Sequence, residues 1–217
     1  MKNTLFFFFL LVLISCGKKS SETGCNSMVC ELPAFSLSTT DSGPVPPEAL
    51  DFATNLTFVN FAATDQEKAL HAADLVKRVI QSQEFKDAVV GFTYNGEKKF
   101  VDNQGLTNLQ IYDRIIIAAE ELSPAHNYVL DARLQLYYED STTIGYTYES
   151  VNVIYMNTKY FNRYTPYQVA GNLTHEWTHK LGFTHDSAAT PSRPYSVPYA
   201  VGYMVRDLAY DLFPSLY

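Results

Sequence analysis

The sequence predicts a single α/β domain in which a sheet packs on helices. Stretches rich in β-branched and aromatic residues predict strands, and stretches with apolar residues at helical spacing predict helices. The two kinds of stretch are interleaved along residues 51–217, as is typical of an α/β chain. The chain has 217 residues, of which 47% are hydrophobic, and this excludes a largely disordered protein.

The clearest strand pattern covers residues 128–138. Apolar residues stand there at alternate positions from Leu130 to Leu136, as expected for a strand with one buried face. The dipeptide Asn95-Gly96 predicts a β-hairpin within residues 91–101. Further strands are predicted at residues 56–61, 143–148 and 151–156.

Helix starts are marked by residues that cap the first turn. Thr64 and Thr107 each precede an apolar stripe at helical spacing, which predicts that each threonine is an N-cap. Thr165-Pro166 marks another start, because threonine caps and proline fits the first helical position. The predicted helices cover about residues 65–80, 84–90, 108–122, 166–181 and 205–213.

The stretch 175–186 carries the clearest chemical signal, H-E-x-x-H-x-x-G-x-x-H-D. On a helix, His175 and His179 lie on one face and can share one Zn²⁺ at about 2.0–2.1 Å. Gly182 can end the helix in a left-handed conformation, so that His185 returns as a third ligand. Glu176 stands beside the first ligand, where a carboxylate can accept the proton of a metal-bound water. Three protein ligands leave a fourth position open, as in catalytic zinc sites.

Two other interpretations of this stretch are available. The histidines can be incidental residues on a solvated helix face, or the site can bind zinc without chemistry. The extended spacing argues against the first reading, and the retained Glu176 argues against the second. Trp177, on the apolar stripe of the same helix, is expected to pack in the core rather than to bind substrate.

The motif resembles that of the metzincins, a clan of zinc peptidases defined by this spacing and a downstream Met-turn. Asp186, directly after the third histidine, is similar to the adamalysin-type branch. The resemblance implies that the three histidines are zinc ligands, that Glu176 is the general base and that Met204 is the Met-turn residue. It also implies a mixed, mostly parallel twisted sheet with an antiparallel edge strand, packed on an active-site helix and a backing helix.

The resemblance suggests two further roles. The edge strand that pairs with substrate falls on Gly145, Tyr146, Thr147 and Tyr148, and an ordinary hairpin with a glycine bulge is the alternative reading. Position 206 is arginine where some metzincins have a helper tyrosine, so two other tyrosines are candidates for transition-state stabilisation. These candidates are Tyr199 and Tyr203.

Asp186 has a predicted role of its own. It is expected to brace the structure below the site by hydrogen bonding. In that position its carboxylate can also orient one of the ligand imidazoles.

Residues 1–15 are predicted to be a signal peptide, because a positive charge is followed by a short apolar run. The run ends in a sequence that resembles a bacterial lipobox, with Cys16 as the lipidated residue. An ordinary secretory signal is the alternative. Residues 16–50 are rich in Ser, Thr, Gly and Pro and predict a flexible linker before the catalytic domain at 51–217. The protein is therefore expected to be exported and anchored to a bacterial membrane.

Cys25 and Cys30 remain as an even pair if Cys16 carries lipid. In an oxidising compartment they can close a small disulfide loop, and two free thiols are the alternative. A cysteine that reaches the zinc as a latency switch is disfavoured, because the segment does not match a matrixin prosegment.

The predicted function is a zinc-dependent endopeptidase that acts on a protein or peptide substrate, with Glu176 as general base. Two alternatives stay open: a zinc hydrolase of another amide, such as a cell-wall crosslink, and a non-catalytic zinc-binding surface lipoprotein. The net charge of −7 argues against a nucleic acid partner. A monomer is expected.

Overall fold

A computed structural model describes residues 51–122 and 127–214 of the chain. Apart from residues 187–189, these residues fall within one compact unit. The predicted signal peptide, the lipidated Cys16, the linker up to residue 50 and the Cys25–Cys30 pair lie outside the described residues. Over the described ranges, no helix is both long enough and apolar enough to cross a membrane.

A four-stranded sheet forms one layer of the domain. Its strands are β1 (Ala53–Val59), β2 (Val129–Tyr137), β3 (Gly145–Thr147) and β4 (Val153–Asn157). The spatial order is β1-β2-β4-β3, in which β1, β2 and β4 run parallel and β3 pairs antiparallel with β4. The predicted fold class is confirmed: the sheet is mixed and mostly parallel, with an antiparallel strand at one edge.

Six helices accompany the sheet within the described part of the chain. They are α1 (Ala63–Ile80), α2 (Gln83–Gly91), α3 (Asn108–Ile116), α4 (Thr158–Phe161), α5 (Pro166–Lys180) and α6 (Val197–Leu212). Helices α1, α5 and α6 pack against one another, and α1 and α5 also contact the sheet.

The alternation along β2 decides which face of the sheet is covered. Its apolar residues at even positions, from Leu130 to Leu136, are buried, as the sequence pattern predicts. Trp177 of α5 is fully buried and its ring meets Phe52 edge-to-face at 5.8 Å. The expectation that Trp177 is a core residue is therefore confirmed, and the core fixes the orientation of α5.

Local predictions at the Asn95-Gly96 hairpin and at the start of α1 differ from the structure. The Asn95-Gly96 turn forms, with both residues at positive φ, but only one bridge pair flanks it. The flanking segments form no strands, because Phe92 and Phe100 stack on each other at 4.2 Å instead of pairing along a ladder. The N-cap of helix α1 is Ala62, two residues before the predicted cap Thr64, and the Asp65 carboxylate accepts from the Ala62 N–H.

The last helix begins earlier than predicted. Helix α6 starts at Val197 rather than at residue 205, since Pro198 in its first turn favours helix initiation. This earlier start adds residues 197–204 to the helix. The difference changes the surroundings of the histidine cluster, described next.

Candidate metal centre

Helix α5 presents two of the three histidines. Thr165 caps it and Pro166 occupies its first turn, and the Thr165 N–H donates to the Gln168 side chain at 3.0 Å, as in a capping box. The helix ends at Lys180. Gly182 follows with a φ of +87°, the left-handed conformation predicted for this position. The chain therefore reverses at Gly182 and brings the third histidine back.

The three histidines converge on one point. Single ring nitrogens of His175, His179 and His185 all lie within 4.8 Å of one another. The Nε2 atoms of His175 and His185 are 3.3 Å apart. A tetrahedral ion with bonds of about 2.0–2.1 Å holds its ligands about 3.3–3.4 Å apart, so this spacing fits one shared metal ion.

The opposite sides of the rings are held by backbone carbonyls. His179 Nδ1 donates to the Phe183 carbonyl at 2.7 Å, and His185 Nδ1 donates to the Asp186 carbonyl at 2.9 Å. The His175 ring is hydrogen-bonded to the Pro198 carbonyl. Because a carbonyl only accepts, the Nδ1 atoms of His179 and His185 carry the proton and their Nε2 lone pairs are left for a metal.

The environment keeps these imidazoles neutral. Burial holds the pKa of His175 well below its usual value, and the neighbouring histidines and Arg193 act in the same direction. Burial lowers the pKa of His179 to about 4, and burial also lowers the pKa of His185. Neutral imidazoles are the form that binds a metal ion, so the cluster matches the donor set of a metal site.

Two glycines allow α6 to lie directly against α5. A Cβ on Gly171 would stand 2.8 Å from the Gly202 carbonyl oxygen, and a Cβ on Gly202 would stand 2.9 Å from the Gly171 carbonyl oxygen. The same Cβ on Gly202 would be 3.1 Å from His175 Cβ. Only small residues allow this approach, and it brings the first turns of α6 to the histidine cluster.

Tyr199 reaches the cluster through this contact. Its ring centroid is 4.5 Å from that of His175 and 4.7 Å from that of His185. Tyr203 lies one turn further along α6, with its ring 6.0 Å from Tyr199. Of the two tyrosines singled out from the sequence, Tyr199 packs on the histidines and Tyr203 packs on Tyr199.

Glu176 lies next to His175 on α5 and is 4% exposed. Within the described ranges, no residue donates a hydrogen bond to its carboxylate. Burial raises the pKa of Glu176 to about 8, while the charge of Lys180 acts to lower it. A Cβ on Gly145 would stand 3.1 Å from Glu176 Oε1 and 3.0 Å from Asn172 Nδ2, so the edge strand passes directly over this carboxylate.

Lys180 joins the edge strand to the end of α5. It is 4% exposed, and its ammonium donates to the Tyr148 carbonyl at 2.6 Å and to the Val151 carbonyl. Burial lowers the pKa of Lys180, and the charges of Glu176 and Glu120 oppose that shift. The segment after β3 is thus fixed to the helix that carries the histidines.

A second buried carboxylate lies near α5. Glu120 is 3% exposed and accepts a hydrogen bond from Trp177 Nε1 at 2.6 Å and from the Asp131 N–H at 3.0 Å. Burial raises the pKa of Glu120, and these two hydrogen bonds oppose the shift. Glu120 therefore ties helix α5 to strand β2 through the core tryptophan.

Several predicted site residues occupy other surroundings than expected. Met204 lies within α6, so the segment expected to form the Met-turn is helical, because α6 begins at Val197 and continues through the glycine contact. The Asp186 carboxylate accepts from Thr190 Oγ1 at 3.2 Å, and its backbone carbonyl, not its carboxylate, holds the His185 ring.

The edge strand is confirmed as an antiparallel edge, and its side chains divide between the two faces of the sheet. Gly145 faces α5, whereas the Tyr146 ring stacks on Tyr155 at 4.5 Å. Tyr148 is exposed and its ring packs on Tyr146 at 5.4 Å. Thr147 Oγ1 donates to the Val153 carbonyl at 2.6 Å, so it stabilises the β3–β4 pair.

Sequence reasoning missed three residues of the site. Asn172 lies one turn before Glu176, and this i, i+4 spacing was a usable signal. The sequence carries no signal for Lys180 or Arg193. A lysine at the end of a helix is common, and Arg193 lies in a proline-containing segment without apolar periodicity. Their positions follow from tertiary contacts alone.

The structure establishes a mixed α/β fold in which three histidines lie close enough to bind one metal ion. No protein-family model matches the chain, and neither a curated protein nor a solved structure matches it.

Proposed function

We propose that the protein is a zinc-dependent endopeptidase of the metzincin type. One observation carries the proposal: the three histidine ligand atoms converge beside Glu176, a buried carboxylate with no hydrogen-bond donor among the described residues. A purely structural metal site has no use for a carboxylate at this position, whereas a hydrolytic zinc site uses one to accept the proton of water.

His175, His179 and His185 would hold the zinc ion. Three neutral imidazoles leave one coordination position open, which is the arrangement of catalytic zinc rather than of structural zinc. When bound, the ion would polarise a peptide carbonyl and make a water molecule more acidic. The carbonyl acceptors behind the rings support this role, since they hold each imidazole in the orientation that a metal requires.

Glu176 would act as the general base and then as the general acid. Its carboxylate takes a proton from the attacking water and returns it to the nitrogen of the leaving amine. The lack of hydrogen-bond donors leaves both oxygens available for this transfer. Gly145 supports the role as well, because the absence of a side chain there leaves room beside Glu176 Oε1.

The outer edge of β3 would bind the substrate as an extended strand. β3 pairs with β4 on one side only, so within the described sheet its other edge is left for backbone hydrogen bonds with a peptide. The strand passes over Glu176, and Lys180 fixes the segment that follows it. Gly145, Tyr146, Thr147 and Tyr148 are thus the proposed substrate edge.

Tyr199 is the proposed stabiliser of the oxyanion in the transition state, because its ring packs on both His175 and His185. The metzincin assignment is supported by the motif spacing, by the left-handed Gly182 and by the antiparallel edge strand. Export and lipid anchoring at Cys16 remain proposals made from the sequence alone.

The function is tested by the cleavage of a mixed peptide library with the full chain, prepared in parallel with its His179→Ala variant. We expect the parent to cleave peptides, a chelator to abolish cleavage and added zinc to restore it. The variant controls for contaminating proteases and should be inactive. Cleavage of cell-wall peptide crosslinks without any cleavage of the library would favour the other amide hydrolase. A zinc-loaded parent inactive on both substrates would contradict the proposal.

A further inference from the structure

The side chain of Arg193 is separated from the histidine cluster by the ring of Tyr199. Arg193 opens a single 3-10 turn, Arg193–Tyr195, just before α6. Its guanidinium carbon is 4.8 Å from the centroid of the Tyr199 ring, and that ring packs on both His175 and His185. The arginine is therefore held at the edge of the proposed active site by a cation–π contact.

In the described part of the chain, the positive charge of Arg193 has no ion-pair partner. No described carboxylate lies within 4.0 Å of its guanidinium, and its Nε atom is buried without a hydrogen-bond partner. Asp102 is close enough for its charge to act on His185, yet no ion pair joins it to Arg193. A buried donor without an acceptor is unfavourable in the free protein, and a ligand that supplies the acceptor removes that cost.

Arg206 provides the comparison within the same molecule. Its guanidinium lies over the ring of Tyr203, 4.9 Å from the centroid, much as Arg193 lies over Tyr199. Arg206, however, forms an ion pair with Asp207 at 2.7 Å. Both arginines stack on tyrosines of α6, but only Arg206 has a carboxylate partner. Arg193, which lies beside the histidines, has none among the described residues.

Building on the peptidase function proposed above, we propose that Arg193 binds a carboxylate of the peptide substrate and sets the specificity of cleavage. A planar guanidinium matches a carboxylate with two parallel hydrogen bonds, and stacking on Tyr199 fixes its plane in advance. The carboxylate belongs either to an Asp or Glu side chain near the scissile bond or to the C-terminus of the substrate. Both sources present the same group to Arg193.

Matched fluorogenic peptides test this inference with the zinc-loaded full chain. The peptides differ only in Glu or Gln at each position flanking the scissile bond, or in a free or amidated C-terminus. We expect one carboxylate form to exceed its neutral partner about tenfold or more in kcat/KM, which identifies the source. Arg193→Gln should bring this ratio close to one, and Arg193→Lys should leave an intermediate ratio.

Two further variants distinguish recognition from a structural role. Arg193→Glu should reverse the selectivity, so that a Lys peptide is cleaved better than its Gln partner, an outcome that misfolding cannot produce. Arg206→Gln, the matched control, should keep the selectivity of the parent. A parent that does not distinguish carboxylate from amide, or an Arg193→Gln variant with an unchanged ratio, would overturn the inference.

Peptide binding, followed by fluorescence anisotropy, separates this inference from the peptidase proposal. If no peptide is cleaved but carboxylate peptides bind the parent about tenfold more tightly than Arg193→Gln, the peptidase proposal fails and the Arg193 site stands. If the parent shows neither cleavage nor selective binding of carboxylate peptides, the Arg193 site is also rejected.

Discussion

Two buried glutamates beside the same helix behave differently. Glu120 is 3% exposed and Glu176 is 4% exposed, and burial raises the pKa of both carboxyl groups. Glu120 accepts two hydrogen bonds, from Trp177 and from the backbone of β2. Glu176 receives none from the described residues and lies beside the histidine cluster.

The difference separates a structural carboxylate, Glu120, from the carboxylate that we propose to act in catalysis, Glu176. Hydrogen bonds offset part of the cost of burying Glu120, and they anchor the tryptophan at the centre of α5. Glu176 is also disfavoured as an ion by burial, yet no described residue donates a hydrogen bond to it, as is found for groups kept at a site for their chemistry. Burial alone does not distinguish the two residues; their hydrogen-bond partners do.

The largest expected effect is the loss of activity on replacing Glu176. Glu176→Gln keeps the shape of the side chain and removes the proton acceptor, so peptide cleavage should fall by about 10²- to 10⁴-fold. Its free energy of unfolding should equal or exceed that of the parent, because a buried carboxylate without partners is replaced by a neutral amide. Steady-state kinetics and urea unfolding on the same samples check both statements; a variant that stays active would remove Glu176 from the mechanism.

Replacing Glu120 should have the opposite effect: it should lower the stability and leave peptide cleavage nearly unchanged. Glu120→Ala leaves Trp177 Nε1 and the Asp131 N–H without an acceptor, so the free energy of unfolding should fall by about 2–4 kcal/mol. Glu120→Gln retains an acceptor oxygen and should lose much less. Cleavage per folded molecule should stay within a few-fold of the parent in both variants. Unchanged stability in Glu120→Ala would contradict the structural role.

The space beside Glu176 can be tested through Gly145. A methyl group there would stand 2.9 Å from the Tyr155 carbonyl oxygen and 3.1 Å from Glu176 Oε1, so β3 must move relative to β4 and the carboxylate must give way slightly. We expect Gly145→Ala to lower kcat/KM about tenfold and to cost about 1–2 kcal/mol of stability. Gly91→Ala is the control, since a Cβ at Gly91 meets nothing within 4 Å. If Gly145→Ala behaves like this control, the proposed close approach of β3 is wrong.

The smallest expected effect is a pH dependence of the free energy of unfolding that arises from the ionisation of Glu120. Burial raises the pKa of Glu120 above its ordinary value of 4.5, so the folded protein keeps a proton that the unfolded chain has lost. The contribution is fully present below pH 4.5 and is lost as the pH rises from 4.5 through the folded pKa. Urea unfolding should therefore show that Glu120→Gln gains stability relative to the parent across this window. A constant difference between the two proteins would show that the pKa of Glu120 is not raised.

The fold was predictable where local pattern and tertiary packing agree. The alternation in β2, the Thr165-Pro166 start of α5 and the left-handed Gly182 all appear as the sequence predicts. The turn at Asn95-Gly96 forms as predicted, but the flanking hairpin strands at 91–101 do not, and Phe92 stacks on Phe100 instead. The early start of α6 is favoured by Pro198 in its first turn, a local cue that apolar periodicity does not report.

The site was predictable for the residues that share one helix and one turn. Fixed spacing places His175, His179 and His185 near one another, and the structure has them within reach of one ion. Tyr199 was singled out only through a resemblance, and Arg193 not at all. Both depend on the crossing of α5 and α6 at paired glycines, a long-range contact that no local spacing encodes.

Zinc content per chain in the parent and in His185→Ala tests the central claim most directly. The claim is that the three histidines form one metal site. We expect one tightly bound zinc ion per parent chain, with a nitrogen coordination shell at about 2.0–2.1 Å in X-ray absorption. His185→Ala should bind zinc about a hundredfold more weakly or lose it on dialysis. A parent that binds no zinc, or a variant that retains it with unchanged affinity, would contradict the account.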